Sequence, residues 1–202
     1  MKLIALSFLL IAVPILSFAR GEFEYANKLV LRTGVGQLAN QGDQGGGSPS
    51  VGGFNLQFFH FLNSYLAVGF GYQAQFDLNI GTVPVSGYEI AGRIYWWGEG
   101  TQVKEKMSWG ELDLYQKNSF YFTSHYGKRQ FYLGDDPLTI DESKKFTGEY
   151  GVINAGLGWD HRLNRNFEIN AELCTSLFAL SSTDSRVRIS ETFLWMGLGY
   201  VF

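Results

Sequence analysis

The stretch from Tyr65 to Leu78 reads YLAVGFGYQAQFDL. Leu66, Val68, Phe70, Tyr72, Ala74, Phe76 and Leu78 share one parity, while Ala67, Gly69, Gly71, Gln73, Gln75 and Asp77 share the other. Successive side chains of a strand point to opposite faces, so this is a β-strand with one unbroken apolar face. Whatever the chain folds into must give that face an oily neighbour and the opposite face a polar one.

The pattern recurs along the chain. Residues 28–38 set Leu29, Leu31, Thr33 and Val35 against Arg32, Gly34 and Gly36, and residues 54–62 set Phe54, Leu56 and Phe58 against Asn55 and Gln57. In residues 88–97, Ile90 and Ile94 oppose Glu89 and Arg93. In residues 151–160, Ile153, Ala155, Leu157 and Trp159 oppose Asn154, Gly156, Gly158 and Asp160. Between 167 and 180, Phe167, Ile169, Ala171, Leu173, Thr175 and Leu177 oppose Glu168, Asn170, Glu172, Cys174 and Ser176. The chain closes on ETFLWMGLGYVF, where Leu194, Met196, Leu198, Tyr200 and Phe202 form a greasy face that runs to the last residue. A further strand begins near residue 118, with alternation too poor to assign its faces up to residue 132. Residues 98–117 are polar and read as a long turn or an extra short hairpin. The pattern gives about eight strands of roughly ten residues, the length that crosses a bilayer at a tilt; the irregular segments leave ten strands open.

The segments HFLNSYLAVGFGY and HRLNRNFEINAEL echo one another, each running His, Leu-Asn, then an alternating strand. They read as one short turn used twice rather than as a repeat architecture. Short turns of this kind alternate with longer polar loops at residues 39–52, 134–146 and 181–188.

The N-terminal residues MKLIALSFLLIAVPILSFAR carry one early charge, an apolar run and the small-x-small triplet Ser17-Phe18-Ala19. Residues 1–19 are therefore expected to be a cleaved secretory signal peptide, which leaves residues 20–202 as a single domain. The one cysteine, Cys174, allows no internal disulfide, so an oxidising envelope compartment has to be tolerated without staples. A formal net charge of −3 gives no reason to propose nucleic acid as a partner.

An antiparallel sandwich would bury its apolar faces, whereas a membrane barrel turns them to lipid and lines its inside with the polar ones. Three features favour the barrel. The polar faces are rich in Gly, Ala, Asn and Gln, which suit a cramped interior; loop lengths alternate short and long; and aromatics gather at strand ends. Trp96, Trp97 and Trp159 are expected in an aromatic girdle, with Phe59, Phe61, Tyr200 and Phe202 beside them. A strand that closes a barrel has no use for a polar tail, because closure leaves no edge facing lipid.

On this pattern, the signal peptide and the C-terminal strand, the chain resembles small bacterial outer-membrane barrels of the OmpA/OmpX/OmpW type. The resemblance implies an all-β transmembrane antiparallel up-and-down barrel, integral to the outer membrane of the Gram-negative cell envelope. It also implies that Leu194, Met196, Leu198, Tyr200 and Phe202 act as the signal read by the barrel assembly machinery. Outer-membrane lipid, lipopolysaccharide and periplasmic chaperones are the partners that go with such a barrel, which is expected to be a monomer.

An eight-stranded barrel is just wide enough for side chains to fill. The expected inward charges are Arg32, Asp77, Glu89, Arg93, Glu168 and Glu172, and they should pair, because an unpaired buried charge is costly. The expected function is a largely plugged barrel with a structural or surface-interaction role through its external loops. The alternatives are a narrow, porin-like channel for small or hydrophobic solutes and, behind it, a lipid-modifying enzyme. Catalysis would need a Ser, a His base and an orienting acid. The candidates His60 with Ser64, Ser124 with His125, and Asp160 with His161 do not assemble one; adjacent residues on a strand face opposite ways. Asp135, Asp136, Asp141 and Glu142 lack the spacing of a calcium loop. The segment Gly42–Gly47 lacks the Lys-Ser/Thr end of a phosphate loop. No catalytic residue, cofactor or metal is expected.

Overall fold

The computed structural model describes residues 22–23, 27–40, 50–78, 85–114, 116–133, 146–180 and 189–202. The strands are β1 (Glu22–Phe23), β2 (Asn27–Asn40), β3 (Ser50–Asn63), β4 (Leu66–Asp77), β5 (Val85–Trp97), β6 (Val103–Met107), β7 (Gly110–Leu114), β8 (Asn118–Leu133), β9 (Phe146–Arg162), β10 (Phe167–Ala179) and β11 (Ile189–Val201). Eight of them close an antiparallel barrel in the order β10-β11-β2-β3-β4-β5-β8-β9; β1, β6 and β7 make a separate three-stranded sheet. The barrel is thus eight-stranded, and the ambiguous segment 98–117 holds an extra hairpin that stays outside the wall. The expected signal peptide and the candidates Gly42–Gly47, Asp135, Asp136, Asp141 and Glu142 lie outside the described residues.

Closure happens where the chain ends. β11 pairs with β2 from Ile189↔Asn40 to Val201↔Lys28, and the backbones of Asn27 and Phe202 then exchange hydrogen bonds at 3.0 and 2.9 Å. Phe202 stacks on Tyr200 at 5.7 Å on the outer surface. One end of the barrel, here the terminal end, carries these residues, the turns at 64–65 and 163–166, and the segment 98–117. The opposite end, the loop end, joins β2 to β3, β4 to β5, β8 to β9 and β10 to β11.

The wall alternates as the period of two requires. Leu31, Val35, Leu56, Phe70, Ile90, Phe122, Leu157, Leu173 and Leu198 are exposed on the outside, while Arg32, Gln57, Gln75, Arg93, Tyr121, Asn170 and Trp195 are buried within. Strand β8 now has faces: Tyr121, Thr123, His125, Arg129 and Phe131 point inward and Phe122, Ser124, Tyr126, Lys128 and Gln130 outward. Its alternation is illegible in the sequence because aromatic and polar residues occur on both faces.

Two expectations need correction. Phe59 and Phe61 do not join a girdle: they share the parity of Asn55 and Gln57 and are buried inside. The strands run to 12–17 residues rather than ten, so residues 39–40 and 50–52 belong to the wall and not to a loop. Composition misled there, because Gly52 and Gly53 look like linker. In fact a Cβ on Gly53 would lie 2.9 Å from the Trp195 ring, and one on Gly34 2.5 Å from it. The indole lies flat on backbone that only glycine leaves bare. Strict alternation alone would send Trp96 and Trp97 to opposite faces. A bulge between Tyr95 and Trp97 puts both outside, where Trp97 stacks on Phe120 at 5.4 Å. Gly98, at φ 79°, then turns the chain out of β5 in a conformation glycine adopts without strain.

Candidate functional site

The inside of the barrel is layered. At the loop end Leu38, Val51, Val85, Phe131, Tyr150, Val152, Ile189, Phe193 and Trp195 pack into an apolar cluster. Toward the terminal end Val30, Phe59, Phe61, Ala67, Ala91, Tyr95 and Tyr121 form a second. A column of polar side chains connects through and between them.

Glu172 is the hub of the column. It forms an ion pair with Arg32 at 2.6 Å and accepts from Arg93 at 3.2 Å, the Tyr121 hydroxyl at 3.1 Å and His125 Nε2 at 3.0 Å. The Arg93 guanidinium is held between the rings of Phe59 and Tyr121, 4.0 and 4.3 Å from their centroids. Above it, Glu89 accepts from Asn55 and Gln57 and pairs with Arg129 at 2.7 Å; Arg129 also reaches Glu191 at 3.4 Å. Glu191 accepts from the Tyr150 hydroxyl at 2.6 Å and from Asn154 at 3.1 Å. Below it, Lys28 sits between Asp160 at 2.7 Å and Glu168 at 2.6 Å, and Arg162 lies 3.7 Å from Glu168. Asn170 joins this layer to the hub by donating to Asp160 and Tyr121.

Of the expected inward charges, Arg32, Arg93 and Glu172 meet directly, Glu89 joins them through Gln57 and His125, and Glu168 lies a layer below. Asp77 ends β4 opposite Val51, and its side chain lies outside the described residues. The sequence reading missed Lys28, His125, Arg129, Asp160, Arg162 and Glu191. Parity alone would have found Lys28 and Asp160, which share a face with Arg32 and with Asn154 respectively. Arg129 and His125 were hidden in the irregular β8.

Among the described side chains the buried cations are Lys28, Arg32, Arg93, Arg129 and Arg162, and the buried carboxylates are Glu89, Asp160, Glu168, Glu172 and Glu191. Five face five. Every one has an opposite charge within 4 Å, the arrangement that makes buried charge tolerable.

The catalytic candidates separate. Ser124 is outside and His125 inside; Asp160 is inside, and His161 binds Asn118 at 2.8 Å on the outer surface. His60 is exposed and binds Asn27 at 3.1 Å, whereas Ser64 is buried. His125 does have a hydroxyl and an acid beside it, Thr123 at 2.9 Å and Glu172 at 3.0 Å. Thr123 and Glu172 both use Nε2, while Nδ1 faces Gln57 at 3.1 Å and Glu89 at 3.6 Å, and the Thr123 hydroxyl is itself buried in the packed interior. Among the described residues no group of three or more His, Cys, Asp or Glu is placed to hold a metal.

Trp96 and Trp97 are exposed on β5 at the terminal end; Trp159, on β9, is half-buried and donates to Asn118 at 3.2 Å. Leu194, Met196, Leu198, Tyr200 and Phe202 line the outer face of β11.

No family model and no curated relative matches this chain. Solved structures do. Neisserial surface protein A superposes with a TM-score of 0.52 at 9% identity, covering 86% of this chain and 97% of that one. The N-terminal β-barrel domain of Pseudomonas aeruginosa OprF gives 0.49 at 14% identity, over 86% and 97%. Ail, the attachment invasion locus protein of Yersinia pestis, gives 0.44 at 15%, over 88% and 99%. Of these three, the first superposes closely enough to speak to the fold, and it speaks to the fold alone: a small closed β-barrel.

Proposed function

We propose that the chain is an integral outer-membrane barrel whose lumen is filled by its own side chains, with a structural or surface-interaction role exercised at its loop end. One observation carries this reading: a continuous apolar exterior encloses a charge-balanced, mutually paired interior. An exterior of that kind is insoluble in water and needs lipid. An interior of that kind has its charges turned on one another rather than on passing solutes. Lipid and lipopolysaccharide would surround the wall, and the assembly machinery would read the terminal strand, with Phe202 last, delivered by periplasmic chaperones to a monomeric barrel.

The first test is migration on gels of protein from purified outer membrane, with and without boiling. A heat-modifiable band is expected, and a band that does not shift would overturn the barrel reading. The second is planar-bilayer conductance. Steps no larger than baseline are expected; resolved unitary steps would replace the filled barrel with the narrow channel.

A further inference from the structure

Two turns of the terminal end differ in a way the barrel wall does not account for. The turn at 163–166 is exposed at Leu163, Asn164 and Arg165, whereas Asn63 and Ser64 of the other short turn are buried. What covers them is the chain leaving β5. Gly98, Gly100, Thr101 and Gln102 are buried, and Gly100 donates its backbone N–H to Ser64 O at 2.8 Å. Arg162, from the far side of the mouth, donates to Gly100 O at 3.2 Å, and Ser119 donates to Glu99 O at 2.7 Å. Gly100 leaves no room for a side chain: a Cβ there would strike the Tyr95 and Phe61 rings inside the barrel.

The path continues across. Beyond Gln102 the chain enters β6, and β6 pairs with β1, Phe23 opposite Val103 and Glu22 opposite Lys104. Phe23 lies four residues before Asn27, the first residue of β2, so β1 is within about 14 Å of that strand's foot. In the barrel order β5 and β8, from which the hairpin springs, stand across the mouth from β2. The path from β5 through residues 98–104 to β1 therefore leads from one side of the opening toward the other.

We infer that residues 98–102 with β6 and β7 form a lid across the terminal mouth, that β1 is the strap holding it, and that releasing the strap uncovers the turn at Asn63 and Ser64. The strap is the weak joint of the molecule. It holds by a two-residue ladder, while β2, the strand it leads into, is paired along most of its length with both β11 and β3. The element with fewest paired residues opens first. The mouth is therefore built to open by release of β1 from β6, with the wall intact.

The test uses the whole folded chain in lipid, with Cys174→Ala removing the native buried thiol. Ser64→Cys reports the covered turn, Arg165→Cys the open one, and a membrane-impermeant maleimide reads both. Slow labelling at 64 and fast labelling at 165 are expected. Replacing Glu22 and Phe23 by proline removes both strap N–H groups, and should speed labelling at 64 by about tenfold or more while leaving 165 unchanged. Equal rates at 64 and 165 in the strapped chain would show that there is no lid. An unchanged rate at 64 in the proline variant would show that β1 is not the strap. Should the prolines prevent folding, hydrogen exchange of the Gly100 amide in the unaltered chain decides. Protection weaker than that of the barrel strands but well above an unstructured amide is expected, and exchange at the unstructured rate overturns the lid.

Discussion

The wall divides into two four-strand halves, β2–β5 and β8–β11, which correspond at their first two strands and the turn that follows. In each, the first strand opens with an asparagine whose partner across the ladder is a histidine, Asn27 with His60 and Asn118 with His161. Each histidine begins a His-x-Leu-Asn run whose asparagine side chain accepts turn N–H groups, Asn63 from Tyr65 and Asn164 from Asn166 and Phe167. What they enclose is opposite. Among described side chains the first half buries Lys28, Arg32 and Arg93 against Glu89, a balance of +2. The second buries Arg129 and Arg162 against Asp160, Glu168, Glu172 and Glu191, a balance of −2. The halves share a wall pattern and are complementary inside, so neither is electrostatically complete alone.

The sharpest way to break that complementarity is at the hub. Glu172→Gln leaves Arg32 and Arg93 of the opposite half without their carboxylate, and a loss of about 3–5 kcal/mol is expected in urea unfolding from lipid. Glu191→Gln is the contrast. Its cation, Arg129, belongs to the same half and keeps Glu89, so the loss should be clearly smaller in the same assay. If the two losses were equal, contact between halves would have no special weight.

Next in size is Lys28, which binds two carboxylates of the second half. Lys28→Met should destabilise by about 3 kcal/mol, and adding Asp160→Asn should recover part of that, with a coupling of about 1–3 kcal/mol in the double-mutant cycle. Additive losses would mean the pair is not coupled.

The turns come third. Asn164→Ala removes the acceptor of two backbone N–H groups at an exposed site, where water can replace it, and about 1 kcal/mol is expected. Asn63→Ala should cost more, about 1–3 kcal/mol, because this turn is covered. The difference should vanish in the strap-broken chain.

The smallest effect belongs to Glu99, on the covering segment. Burial lifts its carboxyl above the usual carboxylate range, against the pull of the Tyr65 hydroxyl at 3.3 Å and of Arg162. A raised value in the folded chain means the protonated form fits better. The covering is then firmest below the ordinary glutamate pKa and loosens as pH rises through the folded value. The labelling ratio of Ser64→Cys to Arg165→Cys should therefore climb slightly with pH, and Glu99→Gln should flatten it.

Strand number and wall parity were legible because a wall with one apolar and one polar face writes itself as period two over long runs such as Leu66–Leu78. The hub was half legible: Arg32, Arg93 and Glu172 stand out as charges among small polar residues on a polar parity. Their pairing was not, since Arg32 and Glu172 are brought together by closure and no local pattern encodes that. β8 stayed opaque because Tyr121 and Phe131 sit inside while Lys128 and Gln130 sit outside, which erases the contrast that parity relies on. The inward turn of Phe59 and Phe61 was legible in their parity, but their nearness to a turn suggested a girdle instead. The lid was invisible for a different reason: it depends on β1 meeting β6, a contact between short segments with no periodicity of their own.

The placement of the indoles gives the barrel two built-in optical readouts. Trp195, stacked on Phe193 at 4.6 Å in the loop-end cluster, is screened from the surroundings, while Trp96 and Trp97 look straight into them. A brominated acyl chain would dim the second pair and leave the first glowing. A treatment that reverses this order has loosened the inside of the cylinder without pulling it out of the bilayer.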